Sequence, residues 1–261
     1  MKAIILAAGM GTRLDKYTKN SPKCMLKFVG KSLIEHQVEV LRSSGINNII
    51  IVRGYMPDKI NIPNIKYYIN QDYATTNMVE TLFCAESEMN DDIIVCYSDI
   101  LYQKDIIKKI LSSNADIGVT VDDDYGHYWK TRLDNPEEDV ESLVIDKEGK
   151  IIELGEEKCD LSKAKFRYVG LIKFSKKGIK ILKEIYHKNK KIFFESNEPW
   201  LRSKSFKRAY MTSLIQAIIN EGYKVDSIII SRGWLEFDTN EDYERMLKLL
   251  KTGELDKFYK I

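Results

Sequence analysis

Gly9 and Gly11 interrupt an apolar run, Ala3 to Ala8, immediately before Thr12 and Arg13. Glycines in that position let backbone N–H groups approach phosphate oxygens with no Cβ in the way, and Arg13 adds a forked cation for the same anion. Lys23 follows behind Pro22; taken alone, such a lysine either serves an anion or faces water. Asp99 in "YSDI" and Asp238 in "LEFDT" each come after a strand-like run. Carboxylates so placed suit Mg2+, which takes one or two of them and leaves its other positions to water and phosphate. They equally suit the cap of a turn or helix, as Asp238 does before Thr239. The triplet Asp122, Asp123, Asp124 reads as a solvated acidic loop and is left outside the metal set. Two familiar phosphate motifs are absent: a GxGxxG pattern needs glycine where Leu14 stands, and a P-loop ending in Gly30-Lys31-Ser32 needs glycine at Met25.

These residues require elements that deliver them to one edge. Apolar, β-branched runs at "AIILA", "NIIIVR", "IKYYI", "DIIVCYSD" and "DIGVTV" predict strands. Between them, helical spacing of apolar residues predicts helices over Ser32 to Ser44, Thr76 to Glu88 and Lys104 to Leu111. The alternation predicts an α/β fold with a mostly parallel, doubly wound sheet. Ligands of such sheets bind beyond the carboxyl ends of the strands, where the glycine loop and Asp99 fall. From Val140 the pattern changes to "VESLVIDKEGKIIELG", a β-hairpin turning at Glu148 and Gly149. "FRYVGLIKFS" and "VDSIIIS" predict further strands, with helices near 175–187, 207–221 and from Asn240 onward.

The 261 residues, 44% hydrophobic and 31% charged, are enough for one domain with a real core. Lys and Arg number 41 against 39 for Asp and Glu, and this balance excludes the basic excess of a dedicated nucleic-acid binder. Cys24, Cys84, Cys96 and Cys159 are scattered with no CxxC pair, which predicts reduced packing residues and neither disulfides nor zinc. The opening apolar run is too short for a signal peptide, and none approaches the ~18 residues of a membrane span. We therefore expect a cytoplasmic protein with no membrane partner. His36 and His187 fall on predicted helices and read as structural.

Strand, then "LAAGMGTRL", then "SPKCML" and "GKSLIEH", resembles the nucleotidyltransferases that activate sugar and alcohol phosphates on a glycosyltransferase-A-like sheet. Lys16 stands where that pattern usually carries proline. "TNMVETLFCAE", "YWKTRLDNPEEDVESL", "YVGLIK" and "WLEFDTNEDYE" are similar to the cytidylyltransferase branch, whose members activate 2-aminoethylphosphonate, phosphocholine or phosphoryl-glutamine. The resemblance implies a single nucleotidyltransferase domain over 1–261, with a mainly CTP-binding half at 1–122, a mainly acceptor-binding half at 123–238 that contains the hairpin, and a C-terminal helix and tail at 239–261. It implies that Leu6, Ala8, Gly9, Met10, Gly11, Thr12 and Arg13 surround CTP, helped by Asn77 and Thr81 at the base. It further implies that Lys23, with Arg13 and Lys173, neutralises the charge of the transfer, and that Asp99 and Asp238 hold Mg2+.

The acceptor end is rich in aromatics. Trp129 and Tyr168, with the carboxylate of Glu153, are expected to hold an ammonium-bearing tail by cation–π attraction, and Arg132 and Lys173 to grip the phosphate or phosphonate head. His127 is not needed, since an ionised phosphate requires no general base. The expected partners are small molecules only, with the protein a monomer or homodimer. Two alternatives stay open: a sugar-1-phosphate nucleotidyltransferase, and a non-catalytic nucleotide sensor. The sensor would be expected to lose Lys23 or a metal aspartate, and the chain keeps all three.

Overall fold

The computed structural model describes residues 1–261, apart from the side chain of Glu138. In the first half, strands β1 (Lys2–Ala7), β2 (Lys27–Phe28), β3 (Lys31–Ser32), β4 (Ile49–Arg53), β5 (Lys66–Ile69), β6 (Ile93–Tyr97), β7 (Ile100–Tyr102) and β8 (Ile117–Asp122) alternate with helices α1 (Asp15–Thr18), α2 (Leu33–Ser43), α3 (Met78–Phe83) and α4 (Lys104–Ser112). There follow α5 (Tyr125–Arg132), the hairpin β9 (Glu141–Ile145) and β10 (Ile151–Glu157), β11 (Arg167–Phe174), α6 (Lys176–Phe193), α7 (Met211–Asn220), β12 (Asp226–Ile230), β13 (Trp234–Glu236) and α8 (Asn240–Thr252).

The main sheet has seven strands in the order β12-β8-β11-β6-β1-β4-β5. Its β-branched strands are buried on both faces, as the continuous apolar runs require. Ile5, Ile51 and Cys96 pack toward α2, α4 and α8, while Ile4, Val52 and Val95 pack toward α3, α6 and α7. Helix starts are set locally: Ser32 and Glu35 form a capping box on α2, and Thr239 and Asp242 form one on α8. The α/β fold agrees with the sequence reading, with one strand reversed. β11 runs antiparallel to both β6 and β8, whereas the other pairings in the main sheet are parallel.

The sequence pattern also missed two features. "YGHYWKTR" is the helix α5, and β7 and β13 pair antiparallel in a two-stranded ladder. Cys24, Cys84, Cys96 and Cys159 are free thiols; burial pushes those of Cys24 and Cys96 up to about 12, so they stay unreactive. Among the described residues, no helix is long and apolar enough to cross a membrane.

Candidate active site

The loop after β1 turns at Gly11, whose φ of 69° is left-handed. A Cβ on Gly11 would also stand 2.8 Å from Cβ of Lys23, so glycine here lets the lysine stem pass behind the loop. Gly9 is open for the opposite reason: nothing lies within 4 Å of where its Cβ would be. That empty space is part of a cavity of about 230 Å³ lined by Leu6, Ala8, Gly9, Gly11, Thr12 and Arg13, with Asn77 and Thr81 across from them. Asn77 caps α3 by accepting from the Met78 N–H at 2.9 Å, and Thr81 accepts from Asn70 Nδ2 at 2.9 Å. Met10 is the exception in the loop. It does not line the cavity and is 39% exposed, because the turn that aims its neighbours inward leaves its side chain on the outer surface.

The β7–β13 ladder brings the two aspartates together. Glu236 pairs with Ile100, and the Phe237 N–H donates to the Asp99 carbonyl at 3.0 Å, so Asp99 and Asp238 leave the ladder side by side. Lys23, which opens a short 3-10 turn behind Pro22, inserts between them. Its Nζ donates to Asp99 Oδ2 at 2.7 Å and to Asp238 Oδ1 at 2.8 Å, while Arg13 Nη2 stands 2.7 Å from Asp238 Oδ2. Burial works against the Lys23 ammonium, yet Asp99 and Asp238 outweigh it and lift its pKa above the ordinary lysine value. Burial likewise pushes the Asp238 carboxyl up, but Lys23 and then Arg13 prevail and leave it below the ordinary aspartate value. Asp99 Oδ1 is buried with no hydrogen-bond partner, a lone pair aimed at nothing the protein supplies.

A second cavity of about 240 Å³ opens beyond this triad and shares Arg13, Tyr97, Asp99 and Asp238 with the first. Its far wall carries Tyr168, Arg167, Asp139, Glu141, Glu157 and Glu236. The Arg167 guanidinium donates to the Asp139 carbonyl at 2.9 Å and lies 4.3 Å from the Trp129 ring centroid. Burial holds the Glu141 carboxyl above its usual range, and Arg167 offsets this only in part. Tyr168 and Tyr97 meet edge to face at 5.6 Å. Tyr97 has room because Gly170, at φ 85°, leaves out a Cβ that would lie 2.8 Å from its ring.

Four residues expected at the acceptor end lie elsewhere. Lys173 sits at the carboxyl end of β11, beside Gly118 and Ile94 near the starts of β8 and β6, and bonds the Ser113 carbonyl. Because β11 is reversed, that end faces away from the site, and the residues at its amino end, Arg167 and Tyr168, face it instead. Trp129 is 1% exposed, packs on Trp234 and donates through Nε1 to the Asp139 carbonyl at 3.2 Å. Arg132 is buried on Glu236 and Asp242. Glu153 pairs with Lys163 on the hairpin, outside both cavities. Arg167 and Glu141, which line the second cavity, were not singled out in the sequence. The strand "FRYVGLIKFS" points to Arg167 only once its direction is known.

A mostly parallel sheet opens at its carboxyl rim on a cation-lined cavity, and comparison with known proteins places the chain among the nucleotidyltransferases. Residues 3–148 match the family model of the MobA-like NTP transferase domain, and the chain belongs to that family. It is 36% identical over 255 residues to a CTP:phosphoglutamine cytidylyltransferase of Campylobacter jejuni, a match spanning 94% of this chain and 98% of the relative. It is 32% identical over 157 residues to a choline-phosphate cytidylyltransferase of Streptococcus pneumoniae, covering 58% of this chain and 67% of that one. In fold it resembles the solved CTP:phosphocholine cytidylyltransferase from Streptococcus pneumoniae, with a TM-score of 0.71 at 23% identity over 95% of this chain and 98% of that chain.

Proposed function

We propose that this enzyme transfers CMP from CTP to a small phosphate or phosphonate that carries a cationic tail, releasing pyrophosphate. The observation that carries the reading is the Lys23 ammonium held between Asp99 and Asp238 where the two cavities meet. One cavity has the glycine loop and Arg13 for a triphosphate. The other has Tyr168, Glu141 and Arg167 for an acceptor with charges of both signs.

In the reaction an ionised oxygen of the acceptor attacks the α-phosphorus, a new P–O bond forms, and the bond to the β-phosphate breaks as pyrophosphate takes the electron pair. No proton need leave the nucleophile. The protein supplies position and charge. Backbone N–H groups around Gly9 and Gly11 cradle phosphate oxygens, and Arg13 neutralises the leaving group. Lys23 moves from carboxylate to α-phosphate when CTP binds and meets the charge that builds on the non-bridging oxygens. With Lys23 on the phosphate, Asp99 and Asp238 fit a bound Mg2+: the two carboxylates converge on the position the ammonium has left, and Asp99 Oδ1 lacks a partner. When bound there, Mg2+ supplies further neutralisation of the phosphates. The desolvated Glu141 carboxylate gains a counter-charge when an ammonium enters, which favours aminoalkyl or aminoacyl acceptors such as 2-aminoethylphosphonate, phosphocholine or phosphoryl-glutamine over hexose-1-phosphates.

The test is pyrophosphate release by purified protein with MgCl2, each of the four nucleoside triphosphates, and a panel of these acceptors beside glucose-1-phosphate. CTP with an ammonium-bearing acceptor is expected to exceed every hexose-1-phosphate by at least about tenfold in kcat/KM, the scale of one to two cation-pairing contacts. A preference for glucose-1-phosphate, or equal use of UTP, overturns the reading.

A further inference from the structure

Arg132 lines neither cavity, yet it is 2% exposed and both its terminal nitrogens are paired with carboxylates. Nη1 donates to Glu236 Oε2 at 2.5 Å and Nη2 to Asp242 Oδ2 at 2.9 Å. The same Asp242 oxygen accepts from the backbone N–H groups of Asp238 and Thr239, both at 3.0 Å. One guanidinium therefore grips the chain on both sides of Asp238, through Glu236 before it and Asp242 after it. The grip is backed on two sides: Glu236 N–H donates to the Tyr128 hydroxyl at 2.8 Å, and the Arg132 guanidinium lies 4.6 Å from the Trp129 centroid.

As a source of stability this arrangement is poor. Asp242 is fully enclosed, and both Arg132 Nε and Asp242 Oδ1 are buried with no partner. Buried ion pairs of this kind gain little over apolar packing and lose more for each unsatisfied atom. What the planar fork does provide is geometry: it fixes two carboxylates at a set separation, which a point charge such as lysine cannot do.

We propose that Arg132 is a positioning residue that sets Asp238 against Lys23 and Asp99 by bridging Glu236 and Asp242. The inference rests on the reading of Lys23, Asp99 and Asp238 as the reaction centre. It replaces direct contact with the acceptor as the reason for an arginine at this position.

The experiment compares Arg132→Lys and Asp242→Asn with Arg245→Ala. Arg245 pairs with Asp134 just beyond α5, across the same junction with α8, and touches neither Glu236 nor Asp238. Each protein is measured for Tm, for kcat and KM with CTP, and for MgCl2 binding by calorimetry in the presence of a non-hydrolysable CTP analogue. Arg132→Lys is expected to lose at least tenfold in kcat and to weaken MgCl2 binding at least threefold, with KM for CTP within about twofold of wild type. Arg245→Ala is expected to change neither. Asp242→Asn keeps an oxygen for the two backbone N–H groups and carries the same expectation if Arg132→Lys does not fold. Folded Arg132→Lys, or in its place Asp242→Asn, with wild-type kcat and MgCl2 affinity overturns the proposal. Loss of CTP-dependent turnover from the wild type itself overturns the functional reading instead, and the calorimetric comparison still decides the positioning role.

Discussion

Replacing Lys23 by methionine keeps the apolar stem and removes the charge that both aspartates face. At 2.7 and 2.8 Å, each contact is worth about 6 kcal/mol of Coulomb attraction at an effective dielectric of ~20, before the desolvation of the three groups is subtracted. Breaking a buried pair costs about 3–5 kcal/mol; here the three side chains keep 12–18% of their exposure, so ~2–4 kcal/mol is the reasonable net loss. For a chain of this size that lowers Tm by roughly 5–15 °C at pH 7. The same change leaves two carboxylates sharing an empty cation position. Millimolar MgCl2 should therefore raise the Tm of Lys23→Met by several degrees while moving the wild type much less, because the wild-type ammonium already occupies the place. Turnover should fall by about a hundredfold or more, the usual cost of losing a transition-state charge partner, with a smaller change in KM for CTP. The assays are differential scanning fluorimetry across MgCl2 concentrations and pyrophosphate release. An unchanged Tm, an MgCl2 response equal to that of the wild type, or kcat within tenfold would refute the reasoning.

Glu141→Gln should raise KM for an ammonium-bearing acceptor about tenfold while leaving KM for CTP unchanged. Since burial raises the Glu141 pKa, the wild-type acceptor KM should climb with falling pH earlier than for a carboxyl of pKa 4.5, and Glu141→Gln should flatten that limb; parallel profiles for the two proteins count against the assignment. Gly11→Ala forces a Cβ into a left-handed turn 2.8 Å from the Lys23 stem. About 1–3 kcal/mol of stability and most of the turnover should go with it, so a variant with both intact excludes the proposed packing. Glu88, held down to about 2 by hydrogen bonds first from Lys66 and then from Lys2 and Tyr68, should contribute ~1–2 kcal/mol after allowance for the exposed Lys66. A depressed carboxyl stabilises above its unfolded pKa and loses that contribution as pH falls toward its folded value. The gap in stability between wild type and Glu88→Gln should accordingly close between pH 4.5 and 2, which urea titrations at several pH values will show or contradict.

The sequence carried what depends on local pattern. Gly9, Gly11 and Arg13 declare a turn with exposed N–H groups, and the apolar runs declare the strands that carry it. Asp99 and Asp238 were legible as strand-end carboxylates, but their approach depends on the β7–β13 ladder, three residues on each side, too short to stand out by alternation. The wall of the second cavity differs from the expected one for a reason of direction. A strand's pattern is the same read from either end, so "FRYVGLIKFS" shows a buried strand without saying which end meets the ligand. Trp129 and Arg132 were drawn toward the pocket by their chemistry, whereas α5 turns both inward onto Trp234, Glu236 and Asp242. Glu141 looks like an ordinary polar residue at a hairpin start, and only tertiary packing desolvates it.

The reversal of β11 has a further consequence for how the second cavity can be altered. Asp122, the last residue of β8, and Arg167, the first of β11, are cross-strand partners, so the chain departs from the sheet and returns to it at one point. Everything between them, α5 and the hairpin with Asp139, Glu141 and Glu157, is an excursion that leaves and rejoins the sheet at that pair, with α5 tied to Glu236 and Asp242 and the hairpin to Val225 and Ser227. The part of it after α5 can be lengthened, shortened or exchanged for that of a relative while Arg132 and the strands that carry the glycine loop keep their places. A graft of 134–166, which spares Arg132 and its hold on Glu236 and Asp242, is thus expected to reshape the far wall of the second cavity and leave the glycine loop as it is.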